Sequence, residues 1–445
     1  MATAIKLTRK SDLIHQLNRA RQVSDELFGI LHPRALYQRP IAERHRIIFY
    51  IGHLEAFDWN LFLSERPQLK SFHPAYDKLF AFGIDPVDGG LPTDQPQDWP
   101  TVEKVYEYCR EVRKRLDDFL NSSYSGEPEG QTTGASLSVL LHTAIEHRLM
   151  HAETLAYMFH RLPYDRKIAQ QQPDWRGPEA TAEMIEIPAG RAALGLRRQG
   201  DEVFGWDNEF EAHQLEVSSF HVDKYMVTNG EFLQFVLEGG YRESRFWTPA
   251  DWTWVTEKQI GHPAFWFEDG NSWLYRGMFE SIAPPLDWPV YVSHAEASAY
   301  ARWAGRALPT EAQWHRAAYG EPGGSERAYP WGNDENFTGK GNFDFARWDA
   351  APVQSAVNNI SAFGAVGMLG NGWEWTSCEF APFDGFQPFP FYPGYSANFF
   401  DGKHFVMKGG SSRTAAALLR RSFRSWFQPH YQYVYAGFRC VSEED

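Results

Sequence analysis

The chain has 445 residues, and its 43 lysines and arginines against 57 aspartates and glutamates give a formal net charge of −14. Its composition, 43% hydrophobic and 22% charged, is that of a folded protein, and its length predicts two or three domains. The acidic balance argues against a nucleic-acid partner, no apolar run is long enough to span a membrane, and three cysteines without CxxC spacing argue against a disulfide framework. Because the first residues show no signal-peptide pattern, we expect a cytoplasmic protein.

The first third of the chain has the periodicity of a helical bundle. Apolar residues recur at helical spacing over residues 11–30, 41–64, 101–121 and 135–162. Four long helices with apolar stripes are typical of an up-down bundle. The connection over residues 66–100 is long and rich in Pro, Gly and Asp, and loops of that kind are often functional.

Beyond this bundle the sequence changes character. Residues 166–180 are predicted to be a linker, after which Gly, Pro, Trp and Tyr become frequent and strand-like runs are short. Helical spacing is strong only over residues 229–237 and 294–304. We therefore predict a helical domain over residues 1–165 and a compact α+β domain of low regular secondary structure over residues 181–445.

Three histidines of the bundle indicate a metal site. His147 and His151 lie four residues apart, so both imidazoles occupy one helix face and can reach a single ion. That face is apolar at the neighbouring helical positions, which directs the pair toward the core. His53 has a phenylalanine four residues before it and another four residues after it, so it is also expected to face the core. Three imidazoles from two helices predict a metal site with open coordination positions; the alternative is a set of core histidines that only form hydrogen bonds.

Two residues near these histidines bear on the type of site. Arg148 stands where the zinc-protease pattern HExxH has its glutamate, so that chemistry is not predicted. Glu153 lies two residues past His151. It is expected either to orient an imidazole through a hydrogen bond or to be an ordinary surface carboxylate.

The second domain carries a series of short motifs. Its glycines and prolines are expected to set turns, and its tryptophans to fill a core that has few strands. The motifs are MIEIPAG (184–190), DKYMVTN (223–229), RALPTEAQW (306–314), YPWG (329–332), GNGWEWT (370–376), KGGS (408–411) and GFRCV (437–441). In this order they resemble the formylglycine-generating-enzyme/sulfatase-modifying-factor fold, which is C-type-lectin-like. Enzymes that make formylglycine bind copper through a cysteine pair after the Gly-Gly-Ser segment, and residues 411–415 contain no cysteine, so a copper oxidase is not predicted.

The combination of the two halves is more specific than either half. A DinB-like four-helix bundle with the pattern HxxxHxE, followed by this fold, resembles the ergothioneine sulfoxide synthases (EgtB type) and the related selenoneine synthases. The resemblance implies a multidomain protein with an all-α bundle followed by an α+β formylglycine-generating-enzyme-like domain. It also implies that His53, His147 and His151 hold a non-heme Fe(II), and that O2 is used to join a thiol or selenol to C2 of the imidazole of hercynine (trimethylhistidine).

The same resemblance implies further site residues. Tyr395 would be the catalytic tyrosine that supplies a proton, although a packing aromatic is the alternative. Trp426, flanked by Ser425 and Phe427, would line the pocket for the quaternary ammonium group of hercynine. Met150 stands immediately before the second helix histidine, where many members of the family carry a glutamine, and is expected to contact substrate.

The donor site departs from the pattern of members that use γ-glutamylcysteine. Those members carry an Asp and a following Arg near the C-terminus as charged anchors, and residues 425–431 contain neither. The long connection over residues 66–100 contains Asp85, Asp88 and Asp94, which are expected either to bind hydroxyl groups or to be solvated. These departures favour a neutral selenosugar donor over cysteine or γ-glutamylcysteine.

Two other functions stay open. Three histidines also suit zinc, and the bundles of zinc-dependent thiol transferases resemble the first half of this chain. A non-catalytic binding module with structural histidines is the remaining possibility, and it would hold no stoichiometric, exchangeable metal.

Overall fold

The computed structural model describes residues 10–81, 91–122, 134–171, 181–198, 203–270 and 272–443. Contacts between residues divide the chain into two compact units. We call them the helical unit (Ile5–Gln170 with Gly200–Phe204) and the mixed unit (Met1–Ala4, Gln171–Gln199 and Gly205–Asp445). Asp85 and Asp88 lie outside the described residues. Across the described ranges, no helix has the length and apolar character needed to cross a membrane.

The helical unit contains four long helices and a short one in its described part. They are α1 (Lys10–Gly29), α2 (Ile47–Glu65), α3 (Pro74–Leu79), α4 (Val102–Ser122) and α5 (Leu137–His160). Helices α1 and α2 pack against α5, and α2 also packs against α4. The four-helix bundle predicted from apolar periodicity is therefore confirmed, and only the short α3 was not predicted.

Burial differs between the helices of this unit. Helix α4 buries a single stripe and leaves its charged residues outside, which is the amphipathic pattern that the sequence shows. The stripe consists of Val105, Tyr108, Val112, Leu116 and Leu120. Helix α5 is instead buried around nearly its whole circumference, because α1 and α2 cover it. His147 and His151 therefore lie on the most deeply buried of these helices.

The beginning of helix α2 differs from the prediction. Helix α2 begins at Ile47 and not at residue 41, because the amide of Ile47 donates to the carbonyl of Gln38 at 3.0 Å and residues 41–46 form turns. Ile168, in the segment predicted to be a linker, belongs to the helical unit, and its amide donates to the carbonyl of Ile30 at 2.7 Å.

The mixed unit contains short strands arranged in small sheets. In its described part they are β1 (Met184–Ile187), β2 (Gly190–Leu194), β3 (His213–Val217), β4 (Phe220–Asp223), β5 (Trp266–Asp269), β6 (Ser272–Arg276), β7 (Ser281–Ile282), β8 (Gly372–Glu379), β9 (Phe405–Gly410), β10 (Ser425–Phe427), β11 (Ala436–Gly437) and β12 (Val441–Glu443). The sheets have the orders β1-β4-β12, β10-β9-β8-β11, β2-β3 and β5-β6-β7, and only the pairing of β11 with β8 is parallel. The predicted α+β domain with little regular structure is confirmed.

The helices of the mixed unit are short. They are α6 (Asn229–Leu237), α7 (Pro249–Lys258), α8 (His294–Trp303) and α9 (Glu311–Tyr319). The sequence analysis predicted α6 and α8 but missed α7 and α9. Each missed helix begins after a threonine N-cap: Thr248 accepts from the amide of Asp251 at 3.2 Å, and Thr310 accepts from the amide of Gln313 at 3.1 Å.

Three of the sequence motifs meet in the core of the mixed unit. The buried carboxylate of Glu374 on β8 accepts a hydrogen bond from the indole of Trp314 at 2.8 Å and another from the guanidinium of Arg439 at 2.9 Å. Trp375, next to this carboxylate, is buried as well. The expectation that tryptophans fill this core is confirmed, and the polar groups among them are paired.

Candidate metal centre

Three histidines of the helical unit converge in its core. His53 extends from α2, while His147 and His151 extend from α5, and all three are buried. One nitrogen of each ring lies within 4.8 Å of the corresponding nitrogens of the other two. The ring centroids are 4.4 Å apart for His147 and His151, 4.9 Å for His53 and His151, and 5.4 Å for His53 and His147. The predicted meeting of the three imidazoles is confirmed, and nitrogens at this spacing can surround one ion.

Each of these rings keeps a nitrogen without a hydrogen-bond partner. The atoms are Nε2 of His53, Nδ1 of His147 and Nδ1 of His151, all buried, and the described residues offer them no partner. Burial lowers the pKa of His53 to about 4 and the pKa values of His147 and His151 well below the ordinary range, and the charge of Arg148 acts in the same direction. The rings are therefore neutral, which is the form that binds a metal.

The orientation of His53 is set by its surroundings. Its Nδ1 lies 2.7 Å from the carbonyl oxygen of Phe80, so Nδ1 carries the proton and donates it there, while Nε2 keeps its lone pair. The ring of Phe49 stacks on His53 at 4.9 Å, and the ring of Phe57 stacks on His147 at 3.4 Å. These aromatic walls restrict the rotation of the imidazoles and exclude water from them.

The donor set fits a divalent first-row transition metal. Neutral imidazoles suit iron, zinc, copper or nickel, whereas magnesium and calcium prefer oxygen. Three protein ligands leave coordination positions open, as is usual for catalytic rather than structural ions. Within the described residues the group consists of the three histidines alone, without a carboxylate or a thiolate. The buried nitrogens without partners are the sign that these residues can hold such an ion.

Arg148 belongs to a buried ion cluster beside the histidines. Its guanidinium donates to Glu55 at 2.9 Å and to Asp58 at 2.6 Å, two carboxylates of α2. The sequence analysis noted only that Arg148 breaks the HExxH pattern. Two acidic residues three apart on the buried part of a mostly apolar helix were the signal that a buried cation faces them.

The remaining predicted residues of the helical unit have mixed outcomes. Glu153 is buried, so its interpretation as a surface carboxylate is wrong, while its role in orienting an imidazole stays a prediction. Met150 is half-buried on α5, one residue before His151, and its contact with substrate also stays a prediction.

Asp94 is a structural anchor and not a solvated loop residue. Its carboxylate pairs with Arg39 and with Arg46, the latter at 3.0 Å, and it accepts from the indole of Trp99 at 2.7 Å. Burial alone would raise the pKa of Asp94, but these three partners outweigh it and hold that pKa below its usual value. The carboxylate is thus already engaged by the protein.

Two predicted residues of the mixed unit contact each other. The rings of Tyr395 and Trp426 meet edge to face with centroids 5.5 Å apart. Tyr395 stacks on Trp206 at 3.9 Å, and Trp426 stacks on Phe380 at 4.0 Å. The neighbour of Tyr395, Ser396, donates a hydrogen bond to the carboxylate of a buried aspartate in the segment that follows Trp206. The loop that carries Tyr395 is therefore held on both sides.

That aspartate, Asp207, is part of the segment FGWDNE (204–209). Burial raises the pKa of Asp207 to about 6, although the hydrogen bond from Ser396 opposes the increase. Asn208 donates to the hydroxyl of Ser396 at 2.9 Å. The sequence analysis did not identify this contact, which joins residues about 190 positions apart in the chain.

Ser425 and Phe427 are not brought together with Tyr395 in the same way. They flank Trp426 on β10, which pairs with β9. Because successive side chains of a strand point to opposite faces, Ser425 and Phe427 lie on the face that Trp426 does not occupy. Phe427 stacks there on Tyr431 at 5.1 Å. The predicted binding segment therefore divides between two faces of its strand.

Comparison with known proteins agrees with this architecture. Residues 170–444 match the sulfatase-modifying factor enzyme 1-like domain, and residues 16–155 match the DinB superfamily. The chain is 40% identical over 243 residues to the hercynine oxygenase of Mycobacterium tuberculosis, which covers 54% of this chain and 56% of that protein. It is 34% identical over 341 residues to the hercynine oxygenase of Mycolicibacterium smegmatis, which covers 75% and 76% of the two chains.

A fungal relative matches almost the whole chain. The ergothioneine biosynthesis protein 1 of Neurospora crassa is 28% identical over 505 residues, covering 93% of this chain and 56% of that protein. The chain thus spans little more than half the length of this relative and of the M. tuberculosis protein. The domain match and the M. smegmatis alignment together show that the chain belongs to the two-domain family of the hercynine oxygenases, with a DinB-type bundle before a sulfatase-modifying-factor domain.

Proposed function

We propose that this protein joins a chalcogen donor to C2 of the imidazole of hercynine in a reaction that depends on Fe(II) and O2. The observation that carries the proposal is the convergence of His53, His147 and His151, whose buried nitrogens have no partner among the described residues. The names of the relatives, hercynine oxygenase and ergothioneine biosynthesis protein 1, support the substrate class. A purely structural role for three such histidines explains neither observation.

The reaction balances without an external reductant. With a thiol donor, the C2–H bond of the imidazole and the S–H bond break and a C–S bond forms. The two hydrogens leave as water with one oxygen atom of O2, and the other oxygen atom stays on sulfur. The electrons that reduce O2 come from the thiol and the imidazole, and Fe(II) held by three neutral imidazoles would provide the centre for O2 activation and open positions for both substrates.

The protein residues have separate tasks in this proposal. The carbonyl of Phe80 holds the proton of His53 on Nδ1, so Nε2 stays available as a ligand. Phe49 and Phe57 cover two of the imidazoles and keep bulk water from them.

In the mixed unit, we assign Tyr395 as the group that delivers a proton to the reacting substrate, and Trp426 as the contact for the trimethylammonium group. Support comes from their edge-to-face contact, since the stacking of Tyr395 on Trp206 fixes the phenol next to an aromatic face. Ser425 and Phe427, on the other face of β10, are assigned to shape the strand that carries Trp426.

Sulfur is the first donor to test. The relatives' names concern hercynine and ergothioneine, and the preference for selenium expected from the sequence gains no support from them. Asp94, one of the carboxylates expected to grip a sugar hydroxyl, is engaged by Arg39, Arg46 and Trp99. The absence of charged anchors in residues 425–431 is compatible with cysteine, so free cysteine precedes γ-glutamylcysteine and a selenosugar in our order.

The test uses protein loaded with Fe(II) under anaerobic conditions. It is mixed with hercynine, air and, in separate reactions, cysteine, γ-glutamylcysteine or a selenosugar, and the products are identified by mass spectrometry. We expect a hercynine adduct from one donor, none from the His147→Ala variant, and an undiminished yield from His294→Gln, a matched change at a buried histidine of the mixed unit. Protein that retains iron but forms no adduct with any donor would overturn the proposal.

Zinc-dependent thiol transfer is the second candidate, because the same three imidazoles also suit Zn(II). The two functions differ in their need for O2. Thiol transfer with Zn(II) under strict anaerobiosis, together with no O2 consumption by the Fe(II) form, would favour the transferase. Loss of product on exclusion of O2 supports the oxidative reaction.

A further inference from the structure

A buried ion cluster in the helical unit adjoins the three histidines. We define the Arg148 cluster as Arg148 of α5 with Glu55 and Asp58 of α2. The exposed fractions of these side chains are 1%, 2% and 0%. Arg148 reaches Glu55 with one terminal nitrogen at 2.9 Å and Asp58 with the other at 2.6 Å. Arg148 therefore joins α5 to α2, the two helices that carry the proposed metal ligands, through two charged hydrogen bonds.

Arg148 also connects the two helices at positions directly next to the proposed ligands. Arg148 directly follows His147 in the chain, and its guanidinium also donates to the backbone carbonyl of Leu54 at 2.9 Å. Leu54 directly follows His53. The residues adjacent to one ligand on each helix are thus joined by a hydrogen bond from a side chain to the backbone, and a shift of α2 along α5 would break it.

The other two long helices are attached to the same cluster. Arg148 lies 3.3 Å from the hydroxyl of Ser24 on α1. Arg113 of α4 donates to Glu55 at 2.7 Å and pairs with Asp25 of α1 at 2.7 Å. Glu55 therefore lies between the guanidinium groups of Arg148 and Arg113, which come from two different helices.

Fold stability alone is a poor explanation for such a cluster. Burying charges costs several kcal/mol for each ion, and well-packed apolar residues of the same volume often stabilise a protein equally or better. Charged hydrogen bonds have instead a strict direction, which apolar contacts between helices lack. A buried network of this kind is well suited to fix the register of α2 against α5.

We propose that the Arg148 cluster sets the register between α2 and α5 that brings His53 to His147 and His151. This inference rests on the metal binding proposed above. Arg148 touches neither the ion nor the substrates in this role and is a positioning residue. It would explain why an arginine occupies the place where HExxH proteins carry a catalytic glutamate.

The test measures Co(II) binding, since the visible spectrum of Co(II) reports its coordination geometry independently of any turnover. Titrations are made well below the unfolding temperature of each variant. Arg148→Lys keeps the charge but loses the fork that reaches Glu55, Asp58 and Leu54 together. We expect its Co(II) dissociation constant to rise by about 10- to 100-fold, the range typical for residues that orient metal ligands, with an altered spectrum. Arg115→Lys is the control, because its ion pair with Glu111 is exposed, and it should bind Co(II) like the wild type.

A second variant separates positioning from folding. Arg148→Met combined with Glu55→Gln and Asp58→Asn removes all charges of the cluster at nearly constant volume, so that no ion is left buried without a partner. We expect it to fold and still bind Co(II) at least about 10-fold more weakly than the wild type. Wild-type affinity and spectrum in this variant would show that the cluster serves folding only, and would overturn the inference. Failure of the wild-type protein to bind Co(II) would instead remove the metal centre and the proposed function with it.

Discussion

His294 of the mixed unit and the three converging histidines of the helical unit are all buried, but their surroundings differ. In the mixed unit, His294 stacks on Phe405 with centroids 3.7 Å apart, and its Nε2 lies 3.1 Å from the carbonyl oxygen of Thr376. In the helical unit, His147 and His151 lie close to a third imidazole, that of His53, and each of the three keeps a buried nitrogen without a hydrogen-bond partner among the described residues.

The comparison shows which property separates a ligand histidine from a core histidine. Burial lowers the pKa of His294 to about 4, just as it does for His53, so neither burial nor the pKa distinguishes the two. The two kinds of histidine differ in convergence. Nε2 of His294 lies 3.1 Å from the carbonyl oxygen of Thr376, whereas His53, His147 and His151 bring one nitrogen each within 4.8 Å of one another. An unsatisfied buried nitrogen costs free energy, and three at one place are tolerated where an ion satisfies them together.

The largest expected effect comes from removing one of the three candidate metal ligands. His151→Ala removes one of three donors, and we expect the metal dissociation constant to rise by about 100-fold or more, the upper end of the effect seen for residues that only orient ligands. The wild-type protein at a metal concentration 100 times its dissociation constant should gain about 2.7 kcal/mol of unfolding free energy, and the variant should gain about 0.4 kcal/mol or less. Thermal unfolding with and without Co(II) measures both.

The matched control for that experiment is His294→Gln. Its glutamine can still bond to the carbonyl of Thr376, and the metal-dependent stabilisation should equal that of the wild type. A metal-dependent gain that survives in His151→Ala would contradict the assignment of the site.

The next effect concerns pH and the core histidine. The pKa of His294 is about 4 in the folded protein and about 6.5 in an unfolded chain, so between these values the unfolded chain binds more protons. The imidazole of His294 alone should therefore lower the stability by on the order of 3 kcal/mol as the pH is lowered from 6.5 to 4. Urea unfolding of the mixed unit, followed at several pH values, should show a shallower decline in His294→Gln. Equal slopes in the two proteins would show that this imidazole is not the group that titrates.

The smallest expected effect tests how the imidazole of His53 is oriented. A methyl group at Gly52 would lie 2.5 Å from the ring of Phe80, which is fully buried and has little room to move. Gly52→Ala should shift Phe80, whose carbonyl orients His53, and weaken metal binding by about 10-fold with a loss of about 1–3 kcal/mol in stability. Gly29→Ala, where nothing lies within 4 Å of the added carbon, should leave metal binding unchanged and should not lower the stability. Metal titration and urea unfolding of both variants test this.

Much of the metal centre could be predicted from sequence because it depends on local spacing. The interval between His147 and His151 equals one helical turn, and the phenylalanines around His53 mark a core face. The Arg148 cluster could not be predicted in the same way. It requires the rotation of α2 against α5, which is decided by packing between helices and not by the spacing within either one.

The fold shows the same limit. The stripe on α4 and the run of apolar residues in α5 are long enough for periodicity to predict them. Helices α7 and α9 have only 10 and 9 residues and contain many polar residues, so their apolar periodicity is weak. Their threonine N-caps are the local signal that indicates them. The contact between Ser396 and Asp207 joins distant parts of the chain, so no local pattern indicates it.

Phe80 and Asp94 have a consequence for how this family can change over evolutionary time. The carbonyl of Phe80 is tied to His53, and the carboxylate of Asp94 is tied to Arg39 and Arg46, so both ends of the intervening stretch are anchored. Since the entropy of closing a loop rises by only about 0.6 kcal/mol for each doubling of its length, insertions between the two anchors are inexpensive. Changes in the length of that stretch can therefore accumulate in relatives while the three converging histidines stay in place.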